Sequence, residues 1–297
     1  MIRRIAVALG LLAILAGSAL WWLSRAQPLD AETLAALDAL DADAERGEWV
    51  FWASGCASCH IDPEAEDDDR PVLSGGQRFE TGFGTFLAPN ISPDPQHGIG
   101  GWTRAEFANA VMRGVSPGGA HYYPAFPYTA YVRAALQDIA DLHAFIDTLP
   151  ESDTPSAPNE LGFPFSIRRG VGLWKALHLR DDWVIDGDLD DAETHGRYLT
   201  EALAHCAECH TPRGATGGLD LSAWMTGAPN PSGRGRIPAI NTADLGWSAD
   251  DIALYLDSGF TPEFDVAGGT MAAVVRAMAR LRPEDRAAIA AYLLRID

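Results

Sequence analysis

An uncharged apolar run opens the chain and predicts a membrane-spanning helix. It extends over residues 5–23, and 19 residues are long enough to cross the hydrocarbon core of a bilayer. Trp21 and Trp22 close the run, as expected at a membrane surface, whereas a cleaved signal has a shorter apolar core followed by small residues. We therefore predict an uncleaved anchor over residues 1–27. Two arginines precede the run, so the remainder of the chain is expected outside the cytoplasm.

Beyond the anchor, apolar residues recur at helical spacing in two similar stretches. Val111 lies four residues after Phe107, behind Thr103 as a cap, and Ile252 and Leu256 repeat that spacing. Further helices are predicted over residues 46–54, 138–149, 196–204 and 285–296. The predicted fold class is therefore all-α, with a small helical unit that occurs twice.

Each unit contains a short cysteine and histidine motif directly after a predicted helix. The sequences Cys-Ala-Ser-Cys-His at 56–60 and Cys-Ala-Glu-Cys-His at 206–210 both match C-x-x-C-H, the attachment signature of haem c. One helical turn presents both thiols to the porphyrin vinyl groups, and the adjacent imidazole reaches the iron. We predict two covalent haems on the cysteines, with the histidines as proximal iron ligands: Cys56, Cys59, Cys206, Cys209, His60 and His210.

Four cysteines could also serve as disulfides or as a zinc site. An exported chain with four cysteines would ordinarily suggest two disulfides. A zinc site built from all four would leave both motif histidines unused, and it would bring together pairs that are 150 residues apart (206 − 56). Two complete motifs that use every cysteine favour haem.

The duplication extends beyond the motifs. With a constant shift of 145 residues, Gly-Trp-Thr at 101–103 aligns with Gly-Trp-Ser at 246–248, and residues 114–117 align with 259–262. We therefore predict two tandem domains after the anchor, at 43–150 and 189–297. The linker between them, 151–188, contains an interdomain helix. Its apolar part is expected to pack between the domains, in preference to a membrane-surface contact through Arg168, Arg169 and Lys175.

Several stretches resemble the cytochrome c subunits of bacterial membrane-bound alcohol, aldehyde and gluconate dehydrogenases, and diheme cytochromes related to them. The stretches that carry the resemblance are Phe-Gly-Thr at 83–85, Ala-Pro-Asn-Ile-Ser-Pro-Asp at 88–94, Gly-Ile-Gly-Gly-Trp at 98–102, His-Tyr-Tyr-Pro-Ala-Phe-Pro-Tyr at 121–128, Phe-Pro-Phe at 163–165 and Trp-Lys at 174–175. The resemblance implies class I-like cytochrome c domains tethered in the periplasm at the bacterial cytoplasmic membrane. It also implies a relay from a dehydrogenase subunit toward a quinol or oxidase-side acceptor. The family's dehydrogenase subunits usually carry three haem motifs, and this chain has two.

Each haem iron is expected to have a second axial ligand, and the chain has only five methionines. Met271 follows a Gly-Gly-Thr loop downstream of His210, and we predict it as the distal ligand of haem 2, the haem attached at 206 and 209. Met225, in a loop rich in glycine and proline, is a weaker alternative, and Met278 has the character of a core residue.

The distal ligand of haem 1, attached at 56 and 59, stays open. The shift of 145 carries Met271 to Phe126, where the family resembled commonly has its methionine ligand, and phenylalanine cannot coordinate iron. Met112 and His121 are the leading candidates, with Met112 slightly ahead. His97 or a five-coordinate iron are the other possibilities.

Composition and charge narrow the function classes. The hydrophobic share of 47% and charged share of 21% are typical of a globular protein. A net charge of -19 argues against a nucleic-acid partner, because phosphate binding requires clustered lysine and arginine. We predict an electron carrier without catalysis of its own. The alternative is a diheme redox enzyme with haem 1 as its reactive site, for example of the thiosulfate dehydrogenase type.

Overall fold

The computed structural model describes residues 1–65, 69–231, 233 and 235–297, and most of its regular structure is helical. In that part of the chain the helices are α1 (Ile2–Leu23), α2 (Ala31–Asp38), α3 (Ala44–Ala53), α4 (Cys56–His60), α5 (Arg104–Arg113), α6 (Tyr128–Tyr131), α7 (Leu136–Ile146), α8 (Gly170–His178), α9 (Asp191–Arg197), α10 (Ala207–His210), α11 (Thr242–Leu245), α12 (Ala249–Ser258), α13 (Thr270–Met278) and α14 (Pro283–Leu293). The strands are β1 (Arg78–Thr81), β2 (Gly84–Leu87), β3 (Glu160–Leu161), β4 (Ala228–Pro229) and β5 (Arg236–Ile237). α9 continues into a π-helical turn, Tyr198–Leu203, and a short 3₁₀ turn covers Leu221–Ala223.

Two helix pairs cross closely in the same way. α3 packs against α7 at Gly47, where an added Cβ would lie 2.0 Å from the carbonyl oxygen of Asp141. α9 packs against α14 at Gly196, where an added Cβ would lie 1.9 Å from the carbonyl oxygen of Ala288. These distances are far below van der Waals contact, so only glycine permits either crossing. We call α3 to α7 the first group and α9 to α14 the second group.

The helices predicted behind Thr103 and Ser248 are confirmed. α5 begins with a reciprocal capping box between Thr103 and Glu106, and α12 begins with the same arrangement between Ser248 and Asp251. Each helix ends at a glycine with a positive φ. The residues that the spacing predicted to face inward are buried: Phe107, Val111, Ile252 and Leu256.

Two small antiparallel sheets depart from the predicted all-α class. β2 pairs with both β1 and β3, which attaches the segment after the first group to the hairpin at 78–87. Arg78 on β1 reaches across β2 and binds the Glu160 carboxylate on β3 through two hydrogen bonds of 3.0 and 2.6 Å. β4 and β5 form the second sheet. The strands have two to four residues each, too few for an alternating pattern to be recognised in the sequence.

α1 contains the apolar run predicted as an anchor. Among the described residues it is the one helix that is long and apolar enough to cross a membrane, with a mean hydropathy of 2.1. None of its own residues is buried against the protein. The contacts that fix its position begin at its last turn and at Ser24.

The two groups contact each other reciprocally. The Trp49 indole nitrogen on α3 donates to the Asp285 carboxylate on α14 at 2.9 Å, and the Tyr198 hydroxyl after α9 donates to the Asp138 carboxylate on α7. Trp49 and Tyr198 each lie two residues after the crossing glycine of their helix. Each aspartate lies three residues before the carbonyl that the glycine faces. The interface therefore has the isologous pattern of a local two-fold arrangement.

Candidate haem sites

The first motif forms a short helix of its own. The chain leaves α3, turns at Gly55 with a φ of 63°, and enters α4 with Cys56 and Cys59 about one turn apart. The His60 Nδ1 atom lies 2.9 Å from the carbonyl oxygen of Pro89. A carbonyl can only accept, so Nδ1 holds the proton and the Nε2 lone pair is available to a metal.

The second motif repeats this geometry. His210 Nδ1 lies 2.8 Å from the carbonyl oxygen of Pro238, at the same place in the loop that follows α10. Burial lowers the pKa of both His60 and His210, which keeps the imidazoles neutral, as iron ligation requires. The two histidines therefore fit the proximal side of a haem in protonation, orientation and support.

The four cysteines are compatible with thioether attachment. All four lie among the described residues and none forms a disulfide. Burial raises the pKa of Cys56 and Cys206 to about 12 and that of Cys59 to about 11, so the sulfurs are neutral. The described residues contain no group of three or more histidine, cysteine or acidic side chains that could hold a metal ion.

The reciprocal interface brings the two motifs together. Ser58, the third residue of the first motif, donates to the Ala273 carbonyl on α13 at 3.2 Å. Glu208, the third residue of the second motif, accepts from the Thr129 hydroxyl on α6 at 2.5 Å. Each motif thus contacts a helix of the other group.

The sulfurs of the two motifs lie near each other at this interface. Burial is the main cause that raises the pKa of the Cys59 thiol, and the neighbouring Cys209 raises it further. Tyr131 fills the space beside them, donating to the Ser54 carbonyl at 2.9 Å, while its ring meets the His205 ring edge-on at 5.6 Å. His205 packs here with a φ of 45°, at the position equivalent to Gly55.

The loop geometry supports the equivalence of Met271 and Phe126. Val115 bridges to His121 before Phe126, and the bridge between Phe260 and Val266 before Met271 is related to it by the same shift of 145 residues. Met271 lies at the start of α13 and is half-buried against the core. Its role as distal ligand of haem 2 stays a prediction.

Phe126 lies within a cluster of tyrosine rings. Its centroid is 5.9 to 6.3 Å from those of three edge-on neighbours, Tyr122, Tyr128 and Tyr131. The position therefore contributes packing on this side of the first group.

The two candidates for the distal ligand of haem 1 lie in different surroundings. Met112 is buried in the core on α5. His121 is also buried, and its Nε2 donates to the Ser24 carbonyl at 3.0 Å, which leaves Nδ1, without a hydrogen-bond partner, as the atom open to a metal. His97 is half-exposed, with Nδ1 3.6 Å from the Asp94 carboxylate. The choice between Met112 and His121 stays open.

Sequence reasoning missed the two proline carbonyls that orient the histidines. A signal was present, because Pro89-Asn90-Ile91 and Pro238-Ala239-Ile240 share the pattern Pro-x-Ile at a shift of 149. In both copies the isoleucine nitrogen then donates to the loop after the motif, at 3.0 Å to the Leu73 carbonyl and 2.9 Å to the Met225 carbonyl. Met225 is fully buried at the position of Leu73, so it packs in the core as that leucine does.

Known proteins match the chain over different lengths. The cytochrome c family model matches residues 195–297. The chain is 37% identical over 255 residues to the fructose dehydrogenase cytochrome subunit of Gluconobacter japonicus, covering 84% of this chain and 51% of that subunit. It is 33% identical over 291 residues to the alcohol dehydrogenase (quinone) cytochrome c subunit of Gluconobacter oxydans. This match covers 92% of this chain and 59% of that subunit. These matches confirm the resemblance to dehydrogenase cytochrome subunits, of which the chain spans little more than half.

One relative is matched over nearly its whole length. It is a protein of Cereibacter sphaeroides named diheme cytochrome c-type, 55% identical over 285 residues, which cover 96% of this chain and 95% of that protein. Because this identity extends almost from end to end of both chains, the chain belongs to the diheme c-type cytochromes.

Proposed function

We propose that the chain carries two haem c groups in two tandem cytochrome c domains, 43–150 and 189–297, and transfers electrons between them. The twin bonds from His60 to Pro89 and from His210 to Pro238 are the observation that carries this proposal. They prepare two imidazoles in the same tautomer beside two pairs of neutral thiols. Haem c, when bound, supplies a one-electron iron couple.

The chain's own residues have distinct parts in this proposal. Cys56, Cys59, Cys206 and Cys209 hold the porphyrins, and His60 and His210 hold the irons from the proximal side. Met271 is the proposed distal ligand of haem 2, and Met112 or His121 that of haem 1. The two motifs adjoin at the reciprocal interface, so the residues that would hold the two haems lie side by side.

We further propose that the protein is a tethered periplasmic carrier. α1 is the anchor in the bacterial cytoplasmic membrane, and the linker 151–188 joins the domains that lie outside. The names of the relatives, subunits of fructose, alcohol and gluconate dehydrogenases, support a dehydrogenase as electron donor. A quinol or oxidase-side protein is the proposed acceptor. The net charge of -19 favours basic surfaces on soluble partners.

The number of haems is tested by mass and colour. The purified full-length protein should exceed its polypeptide mass by two haems and show the ferrous absorbance of c-type haem. A double variant, Cys206→Ala with Cys209→Ala, should lose one haem in mass and half of the absorbance. A polypeptide of unmodified mass contradicts the proposal.

The relay is tested by rapid mixing. A substrate-reduced alcohol or sugar dehydrogenase should reduce both haems, and the double variant at 206 and 209 should accept half as many electrons. If neither haem is reduced by any dehydrogenase of these classes while a chemical reductant reduces both, the proposed donor is wrong.

A further inference from the structure

The end of α1 is bound directly to the folded body. Arg169, just before α8, donates to the Trp21 carbonyl at 2.7 Å and to the Ser24 hydroxyl at 3.0 Å. Its guanidinium also lies 5.1 Å from the centroid of the Trp21 ring. His121 donates to the Ser24 carbonyl at 3.0 Å. Ser24 is consequently buried, although no residue of the helix before it is buried.

The chain that follows α1 is fixed as well. Arg113 donates to the Gln27 carbonyl at 3.3 Å, and the Leu29 nitrogen donates to the Asn109 side chain at 2.7 Å. At Gly172 on α8, an added Cβ would lie 2.3 Å from the Ser24 carbonyl oxygen, so the two backbones are in close contact. No flexible tether therefore separates the anchor from the body, and one face of the body must meet the membrane.

The segment beside this attachment exposes apolar side chains. We define the interfacial patch as Phe83, Phe163, Phe165 and Ile167, of which Phe163 is 84% exposed. Phe83, at the turn of the hairpin, meets Phe165 edge-on at 4.9 Å. The Tyr123 hydroxyl donates to the Phe165 carbonyl at 2.9 Å, which holds the segment against the first group.

Arginines flank the patch, although the protein as a whole is acidic. Arg168 and Arg169 follow it directly, and the Arg25 guanidinium lies 4.6 Å from the centroid of the Trp22 ring. Lys175, which was considered for such a contact, is buried instead and donates to the backbone carbonyls of residues 113 and 114. Aromatic and aliphatic side chains beside arginines are the composition of a surface that lies in the headgroup region of a bilayer.

We propose that the interfacial patch inserts into the outer surface of the membrane that α1 spans, so that the haem-bearing groups are held in one orientation. This inference rests on the proposed anchor. Lipid is the expected occupant of the patch because the patch is continuous with the end of the anchor. Arg169 binds the Trp21 carbonyl and so lies at the depth where the apolar helix leaves the bilayer. Phe163 to Ile167 immediately precede that arginine.

A lipid-embedded quencher tests the depth of the patch. The full-length haem protein with the substitution Phe163→Cys would be labelled with a fluorophore at that cysteine and placed in nanodiscs. The lipids would carry quenchers on their acyl chains close to the headgroups. We expect a loss of most of the label's emission. The matched control is Phe264→Cys, since Phe264 is 91% exposed but is flanked by Glu263 and Asp265, which disfavour immersion. Its emission should be unchanged.

A label on Trp22→Cys separates this proposal from the anchor itself. If the label at position 22 is quenched and the label at position 163 is not, the anchor proposal holds and the patch proposal is overturned. This outcome includes the case in which a protein, and not lipid, covers the patch. Equal quenching at Phe163 and Phe264 also overturns it. If Trp22 is not quenched, the anchor proposal has failed first. Arg169→Ala should weaken quenching at Phe163 while leaving that at Trp22, because it removes two of the bonds that seat the body on the helix end.

Discussion

Neutralising Asp285 should destabilise the protein in a pH-dependent way. Asp285 is fully buried and accepts from three side chains: the Trp49 indole at 2.9 Å, His195 Nε2 at 2.7 Å and the Arg282 guanidinium at 2.8 and 2.9 Å. Burial by itself favours the protonated carboxyl, but these donors outweigh it and lower the pKa of Asp285 from 3.8 to about 2.

The magnitude follows from that pKa. A fall from 3.8 to about 2 corresponds to about 2 kcal/mol of preferential stabilisation of the ionised form in the folded state. Because the folded pKa is the lower one, this stability is present in full above the unfolded pKa and is lost as the pH falls through about 2. Asp285→Asn should therefore lower the free energy of unfolding at pH 7 by about 2 kcal/mol.

The matched control is Asp138→Asn. Asp138 occupies the equivalent position in the first group, but burial raises its pKa, and its short bond from the neutral Tyr198 hydroxyl does not reverse that shift. Its charge therefore contributes no comparable stability at pH 7, and an asparagine can still accept from Tyr198.

Denaturant unfolding of the haem-loaded full-length protein in detergent, followed by far-ultraviolet circular dichroism at several pH values, measures both variants. The deficit of Asp285→Asn should shrink between about pH 4 and pH 2. An equal deficit in the two variants, or a deficit for Asp285→Asn that is the same at pH 7 and pH 2, would refute the reasoning.

Three further predictions concern the irons and the helix crossings. Met271→Ala should abolish a near-infrared Met-to-iron band of haem 2, and a second such band, lost in Met112→Ala, would assign the distal ligand of haem 1. If haem 1 lacks a methionine ligand, we expect its potential to lie below that of haem 2, which would direct electrons from haem 1 to haem 2. A redox titration that finds equal or reversed potentials would contradict this order. Gly47→Ala and Gly196→Ala should each lower the free energy of unfolding by about 1–3 kcal/mol, while Gly10→Ala, with open space around its Cα, should leave it unchanged.

The helices were the most predictable features, including the short helices that carry the two motifs. The C-x-x-C-H motifs need only one helical turn, and the α5 and α12 helices carry their caps and apolar spacing within ten or so residues. The predicted all-α class missed the two small sheets, because a strand can depend on a partner that is distant in the sequence. β3 has two residues and exists only because it pairs with a hairpin more than seventy residues earlier in the chain.

The amino-acid sequence by itself predicted the side chains that would bind haem and determined the helices that carry them, because those properties depend on neighbours along the chain. Only the tertiary structure decided how these parts meet. Several hydrogen bonds join residues that are far apart in sequence. They are the bonds from His60 and His210 to the proline carbonyls, the bonds of Trp49 and Tyr198 across the interface, and the bond from Arg169 to the end of α1. Such contacts depend on the packing of whole helices, which no local pattern records.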